Sequence, residues 1–178
     1  MNDSRKPSGR QKESGAPPPS PLRRVLFVCT GNICRSPTAE GVFHALVERE
    51  GLAARITSAS AGTHGYHIGD APDPRAIAHA KRRGYDLSRL RAKQLEAADF
   101  ARYDLLLACD AGHQRFLNRL APPDLKGRVA LLMDYAPELG LTEVPDPYYG
   151  SAADFEHVLD IVEPAAAGLL AALKRELK

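Results

Sequence analysis

Val25-Leu26-Phe27-Val28-Cys29-Thr30-Gly31-Asn32-Ile33-Cys34-Arg35-Ser36-Pro37 reads as a strand, a loop and the start of a helix. Residues 25–28 are continuously apolar, as expected of a strand covered on both faces. Pro37 suits a first helical position, and Ser36 before it can serve as the N-cap. From there Ala39, Val42, Phe43, Leu46 and Val47 recur at helical spacing, predicting a helix to about Glu48 with Gly51 as its stop.

The same alternation continues along the chain. Ile56 to Ala61 suggests a second strand. Leu105-Leu106-Leu107-Ala108 and Val129-Ala130-Leu131-Leu132 suggest two more buried ones. Helices are expected at about 74–83, 94–101 and 111–120, with a last one from near Ala152. That helix places Phe155, Val158, Leu159 and Val162 inward, and Pro164 should kink or restart it. Strands alternating with helices predict an α/β domain with a parallel sheet and helices on both faces. There is no internal repeat.

Composition sets outer limits. A chain of 178 residues with 44% hydrophobic and 26% charged residues suits one soluble domain. No apolar run approaches a membrane span. Residues 1–21 are rich in Pro, Ser, Gly and charge, and read as a disordered, solvated tail preceding a domain at 22–178. The formal charge is +2, and the tail's Arg5, Lys6, Arg10 and Lys12 against Asp3 and Glu13 account for it. The neutral remainder gives no indication of nucleic-acid binding. Three cysteines are too few for a disulfide scaffold and fit a reducing compartment. With no apolar segment typical of a secretory signal, the expected location is cytoplasmic.

The chemistry resides in the loop. A turn between a buried strand and a helix can point successive backbone N–H groups at an anion, and the helix N-terminus adds partial positive charge. Gly31 permits backbone geometry closed to most residues. A phosphate in such a nest can be gripped by Arg35 through a bidentate fork. Cys29, at the other end, is expected to have a depressed pKa and to attack phosphorus, giving a cysteinyl phosphate that water hydrolyses. Ser36 can donate to the thiolate, and the Asn32 amide can brace the loop. Thr30, Gly31, Asn32, Ile33, Cys34 and Ser36 thus form the candidate phosphate-binding set. Oxidation of Cys29 would place a sulfenic acid near Cys34, and a protective disulfide is expected. Taken singly, a cysteine ending a buried strand is more often a small core residue than a nucleophile, and Arg35 alone could be a surface charge; the spacing of the whole set makes the case. The Gly-Lys-Ser/Thr of a nucleotide loop is absent, and the cysteines lack zinc-site spacing, so no metal or cofactor is expected.

A second constellation is Pro145-Asp146-Pro147-Tyr148-Tyr149-Gly150. The prolines hold Asp146 in a stiff, extended loop. Its carboxyl can protonate a leaving phenolate and then activate water. Tyr148 and Tyr149 can wall an aromatic pocket. Without the Cys29 loop, the same residues read as a rigid turn with two packed tyrosines.

Val-Cys-Thr-Gly-Asn-Ile-Cys-Arg-Ser-Pro at 28–37 and Asp-Pro-Tyr-Tyr-Gly at 146–150 resemble the low-molecular-weight protein tyrosine phosphatases. The resemblance runs from about Leu22 to the C-terminus. It includes Ser60-Ala61-Gly62-Thr63, Ile68-Gly69, Asp73-Pro74-Arg75 and Asp99-Phe100. It implies a doubly wound four-stranded parallel sheet in the order 2-1-3-4. It also implies Cys29 as nucleophile, Arg35 as phosphate ligand and Asp146 as general acid, without a metal. Tyr66 would be a pocket wall, with Tyr148 another. Two departures stand out. Arg89 occupies the place of a histidine that often supports the loop asparagine, so Asn32 lacks that brace. Cys109 replaces a frequent methionine and is similar to the related arsenate reductases.

Arsenate reduction would require a relay of cysteines, and none follows Cys109. A silent phosphotyrosine-binding module could dispense with Cys29 or Asp146, yet both are present. The expected partner is a phosphotyrosine-containing protein, a tyrosine kinase being one example, met by a monomer away from nucleic acid and membrane.

Overall fold

The computed structural model describes residues 22–178. The segment 1–21, read above as a tail, lies outside them. Four strands, β1 (Arg23–Cys29), β2 (Ile56–Gly62), β3 (Leu105–Ala108) and β4 (Val129–Leu131), form one sheet in the order β2-β1-β3-β4. Every pairing is parallel. Five α-helices accompany them among the described residues: α1 (Arg35–Arg49), α2 (Pro74–Arg82), α3 (Asp99–Arg102), α4 (Ala111–Leu120) and α5 (Ala152–Glu176). Alternation along β1 divides its side chains between two cores. Val25, Phe27 and Cys29 pack with residues of α1 and α5, whereas Leu26 and Val28 pack with Phe100 and Leu117. No described helix is long and apolar enough to cross a membrane.

Several sequence expectations need correction. Helix α1 starts at Arg35, with Cys34 as an N-cap that makes no side-chain cap bond. Ser36 therefore lies inside the first turn, and its hydroxyl is used elsewhere. The anticipated inward face is correct, because Ala39, Val42, Phe43, Leu46 and Val47 are all buried. Gly51 stops the helix as expected, with φ of 67° and its N–H on Glu48 O.

The helix expected at 94–101 shrinks to the single turn Asp99–Arg102. Its first residues instead lie alongside β2: Gly62 N donates to Lys93 O, and Leu95 N donates to Gly62 O. Helix α5 runs through Pro164 without restarting. A proline there costs about 3 kcal/mol of helix propensity. Buried Ile161, Val162, Ala165, Ala166, Leu169 and Leu170 on both sides of it supply the offsetting packing.

Candidate active site

The loop between β1 and α1 turns on one residue. Asn32 has φ of 57°, in the left-handed region that asparagine tolerates. Gly31, expected to supply such freedom, does not have a positive φ; it provides room instead. A Cβ on Gly31 would approach the His67 ring at 3.1 Å. The Asn32 amide is fully committed: Nδ2 donates to Ser36 Oγ at 2.8 Å and to Ser60 Oγ at 2.9 Å. Its Oδ1 accepts the Lys93 N–H at 2.9 Å. Ser60 in turn donates to Glu40 Oε2 at 2.5 Å. Burial raises the Glu40 pKa, partly opposed by the Ser60 bond and Lys93. This brace needs no histidine at position 89.

Ser36 completes the chain, its Oγ lying 2.9 Å from Cys29 Sγ. Because Ser36 Oγ accepts from Asn32, its own hydrogen is free to point at the sulfur. Asn32 and Ser36 are both buried and do not line the cleft, so their side chains support the loop rather than touch a ligand. Backbone bonds seat the loop from outside: Thr63 N on Cys29 O, His64 N on Thr30 O and Asp73 N on Ile33 O. Gly62 makes this approach possible, since a Cβ there would lie 2.6 Å from Thr30 O. The N–H groups of Thr30 to Cys34 form no backbone bond to described residues, leaving donors for an anion.

Arg35 is buried and held from two sides. Its Nη1 donates to Asp110 Oδ2 at 2.9 Å and to Val144 O at 3.2 Å. Its Nη2 lies 3.5 Å from Asp146 Oδ2. Burial opposes the guanidinium charge, but Cys109, Cys29, Asp146 and the Asp110 bond outweigh it, so its pKa is raised.

Asp146 comes from the loop before α5 and is half exposed, its Oδ1 accepting the Tyr148 N–H at 3.1 Å. Arg75 fastens this loop: it pairs with Asp73 and donates to Tyr148 O at 3.0 Å. The rings of Tyr148 and Tyr149 meet edge to face with centroids 4.8 Å apart. Together with Tyr66 they surround a cleft of about 290 Å³. Cys29, Thr30, Gly31, Ile33, Cys34, Arg35 and Asp146 form its floor and walls, with His67, which the sequence reading missed.

Other contributors also escaped the sequence reading. Asp110 caps α4 through the His113 N–H while accepting from Arg35. An aspartate before a helix was the available signal, but it gave no hint of the arginine. Burial would raise the Asp110 pKa, yet His113 and Arg35 outweigh it and the net shift is downward. Ser60 and Glu40 carry no local signature of their role. Cys34 and Cys109 are buried free thiols. Burial, then Asp73 and Cys29, push Cys34 up to about 12, and Cys109 is raised well above its ordinary value mainly by burial.

Residues 24–178 match the family model for low molecular weight phosphotyrosine protein phosphatase. The chain belongs to this family. It is 49% identical over 158 residues to the low molecular weight protein-tyrosine-phosphatase of Streptomyces coelicolor, covering 87% of this chain and 96% of that one. Its structure resembles the protein tyrosine phosphatase of Entamoeba histolytica, with a TM-score of 0.84 and 35% identity over 86% of this chain and 98% of the other. YfkJ from Bacillus subtilis is similar, with a TM-score of 0.83 and 35% identity over 88% and 98%. The loop at 29–35 and the Asp146 segment both lie within the part matched by the phosphatase family model.

Proposed function

We propose that this member of the low molecular weight phosphatase family hydrolyses phosphotyrosine in proteins, and small aryl phosphates, through a cysteinyl-phosphate intermediate. One observation carries the reading: Cys29, Arg35 and Asp146 line the same cleft. The Cys29 thiolate attacks phosphorus as the bond from phosphorus to the phenolic oxygen breaks, and Asp146 gives its proton to the departing phenolate. The loop N–H groups and Arg35 bear the charge on the equatorial oxygens. Asp146, now a carboxylate, takes a proton from water as the water attacks the phosphocysteine. Phosphate leaves, and the Ser36 hydroxyl steadies the returning thiolate.

The topology supports this reading. The chain order reverses at β1, between β2 and β3, and we read the domain as doubly wound with its loop at that switch point. Tyr66, Tyr148 and Tyr149 favour a flat aromatic ester over the shorter phosphoserine. The substrate is then a phosphotyrosine protein, a tyrosine kinase among the candidates, and the enzyme works as a cytoplasmic monomer. Arsenate reduction is disfavoured by the burial of Cys109, which has no later cysteine to receive oxidising equivalents.

The test is turnover of para-nitrophenyl phosphate in EDTA, with inhibition by vanadate. Cys29→Ser should be inactive, and phosphotyrosine peptides should be strongly preferred over matched phosphoserine peptides. A Cys29→Ser enzyme with near-normal rates would overturn the mechanism.

A further inference from the structure

Thr30 follows the nucleophile directly, and its side chain is not left to solvent. Its Oγ1 lies 2.8 Å from Nε2 of His113, a buried residue in the first turn of α4. The other ring nitrogen, Nδ1, is 3.1 Å from Asp110 Oδ1. That contact is poorly directed for a hydrogen bond, and Nδ1 has no other partner. Asp110 is also the residue that accepts from Arg35 at 2.9 Å. Two side chains of one helical turn therefore hold both ends of the phosphate loop.

The proton positions follow from electrostatics. A lone pair on Nδ1 facing a carboxylate at 3.1 Å would be repelled, whereas an N–H there is attracted. With the proton on Nδ1, Nε2 is an acceptor and the Thr30 hydroxyl must donate to it. Burial keeps the ring neutral, holding His113 down at about 4. The hydroxyl hydrogen then points at α4, and Thr30 cannot rotate without leaving the buried His113 Nε2 unpaired.

We propose that His113 is a positioning residue: as a neutral imidazole it accepts from Thr30 and, with Asp110, fixes the start of the phosphate loop relative to Arg35. The inference rests on the phosphatase reading of this site. Its consequence is a nest already shaped for a phosphoryl group, so less ordering remains when the anion arrives. Misplacement of such groups by about 1 Å can cost roughly 10²-fold.

The experiment combines kinetics with NMR on the full chain. His113→Ala should lower kcat/KM on para-nitrophenyl phosphate about tenfold to a hundredfold and weaken competitive inhibition by inorganic phosphate. His113→Gln, which restores an acceptor, should recover to within about threefold of wild type. Thr30→Val should cost about tenfold in the wild type but less than about twofold in His113→Ala, since the two act as one unit. Additive losses, or unchanged phosphate inhibition in His113→Ala, would overturn the inference. Nitrogen-15 spectra of the wild type need neither variants nor turnover. They should show His113 neutral with the proton on Nδ1 near pH 7, and an Nε2–H tautomer or an imidazolium would overturn it. Absence of wild-type turnover would instead count against the phosphatase reading, leaving the NMR result to stand on its own.

Discussion

Arg35 and Asp146 face each other at 3.5 Å, so the proposed phosphate clamp and the proposed acid are already paired. An incoming phosphoryl group must share or displace that contact. Asp146 is half exposed, which limits the pair to about 1 kcal/mol or less.

Substituting Asp146 should therefore have opposite effects on turnover and on binding. Asp146→Ala should lose about 10²–10⁴-fold on phosphotyrosine, because the phenolate departs without its proton. The loss should shrink for esters whose leaving groups need none. The same variant should bind vanadate or phosphate up to about fivefold tighter, since Arg35 has lost a competing carboxylate. Equal losses across leaving groups of very different basicity, with weaker vanadate binding, would contradict both roles.

Ser36 addresses the sulfur at 2.9 Å, and its oxygen is already occupied by Asn32. A hydrogen bond to a charged group contributes about 1.5–3 kcal/mol. Ser36→Ala should slow kcat by about tenfold to a hundredfold, chiefly when thiolate is the leaving group. Rapid quench should show more phosphoenzyme at steady state than in the wild type. A slow variant with no added phosphoenzyme would place the role of Ser36 elsewhere.

His113 should make the fold acid-sensitive. Burial depresses it from 6.5 to about 4; Arg35 pushes the same way, and Asp110, Asp146 and Glu143 oppose. Between these values the unfolded imidazole binds a proton that the folded one refuses. Its contribution to stability is thus full above about pH 6.5 and falls as the pH drops towards 4, by up to about 3 kcal/mol. Urea unfolding of wild type and His113→Gln at pH 7.5 and 4.5 measures this. The variant should lose less stability on acidification, and equal losses would remove His113 as the source.

Cys34 tests the redox expectation. Its thiol, pushed up to about 12, stays protonated at neutral pH, so peroxide should attack Cys29 first. Modest peroxide should inactivate the wild type, and dithiothreitol should restore most activity through a 29–34 disulfide. Cys34→Ser should start active but recover poorly. Full recovery by that variant, with no such disulfide by mass spectrometry, would reduce Cys34 to packing.

What the sequence determined is local. The apolar run ending at Cys29, five intervening residues, Arg35 and an amphipathic helix specify a strand, an anion loop and a helix start, because each rests on neighbours in the chain. The alternation of later elements likewise predicted a parallel sheet. Tertiary structure decided what lies opposite. Asp110 meets Arg35 from 75 residues away, and His113 meets Thr30 from 83. Ser60 reaches Asn32 from 28 residues away, taking the place of a brace at position 89. These contacts exist because β2 and β3 flank β1, so that Ser60 near the end of β2 and the segment after β3 reach the loop that follows β1. The left-handed turn fell to Asn32 rather than Gly31 for the same reason. Three hydrogen bonds, donated to Ser36 and Ser60 and accepted from the Lys93 N–H, hold that side chain in a conformation which local preference alone would have given to glycine.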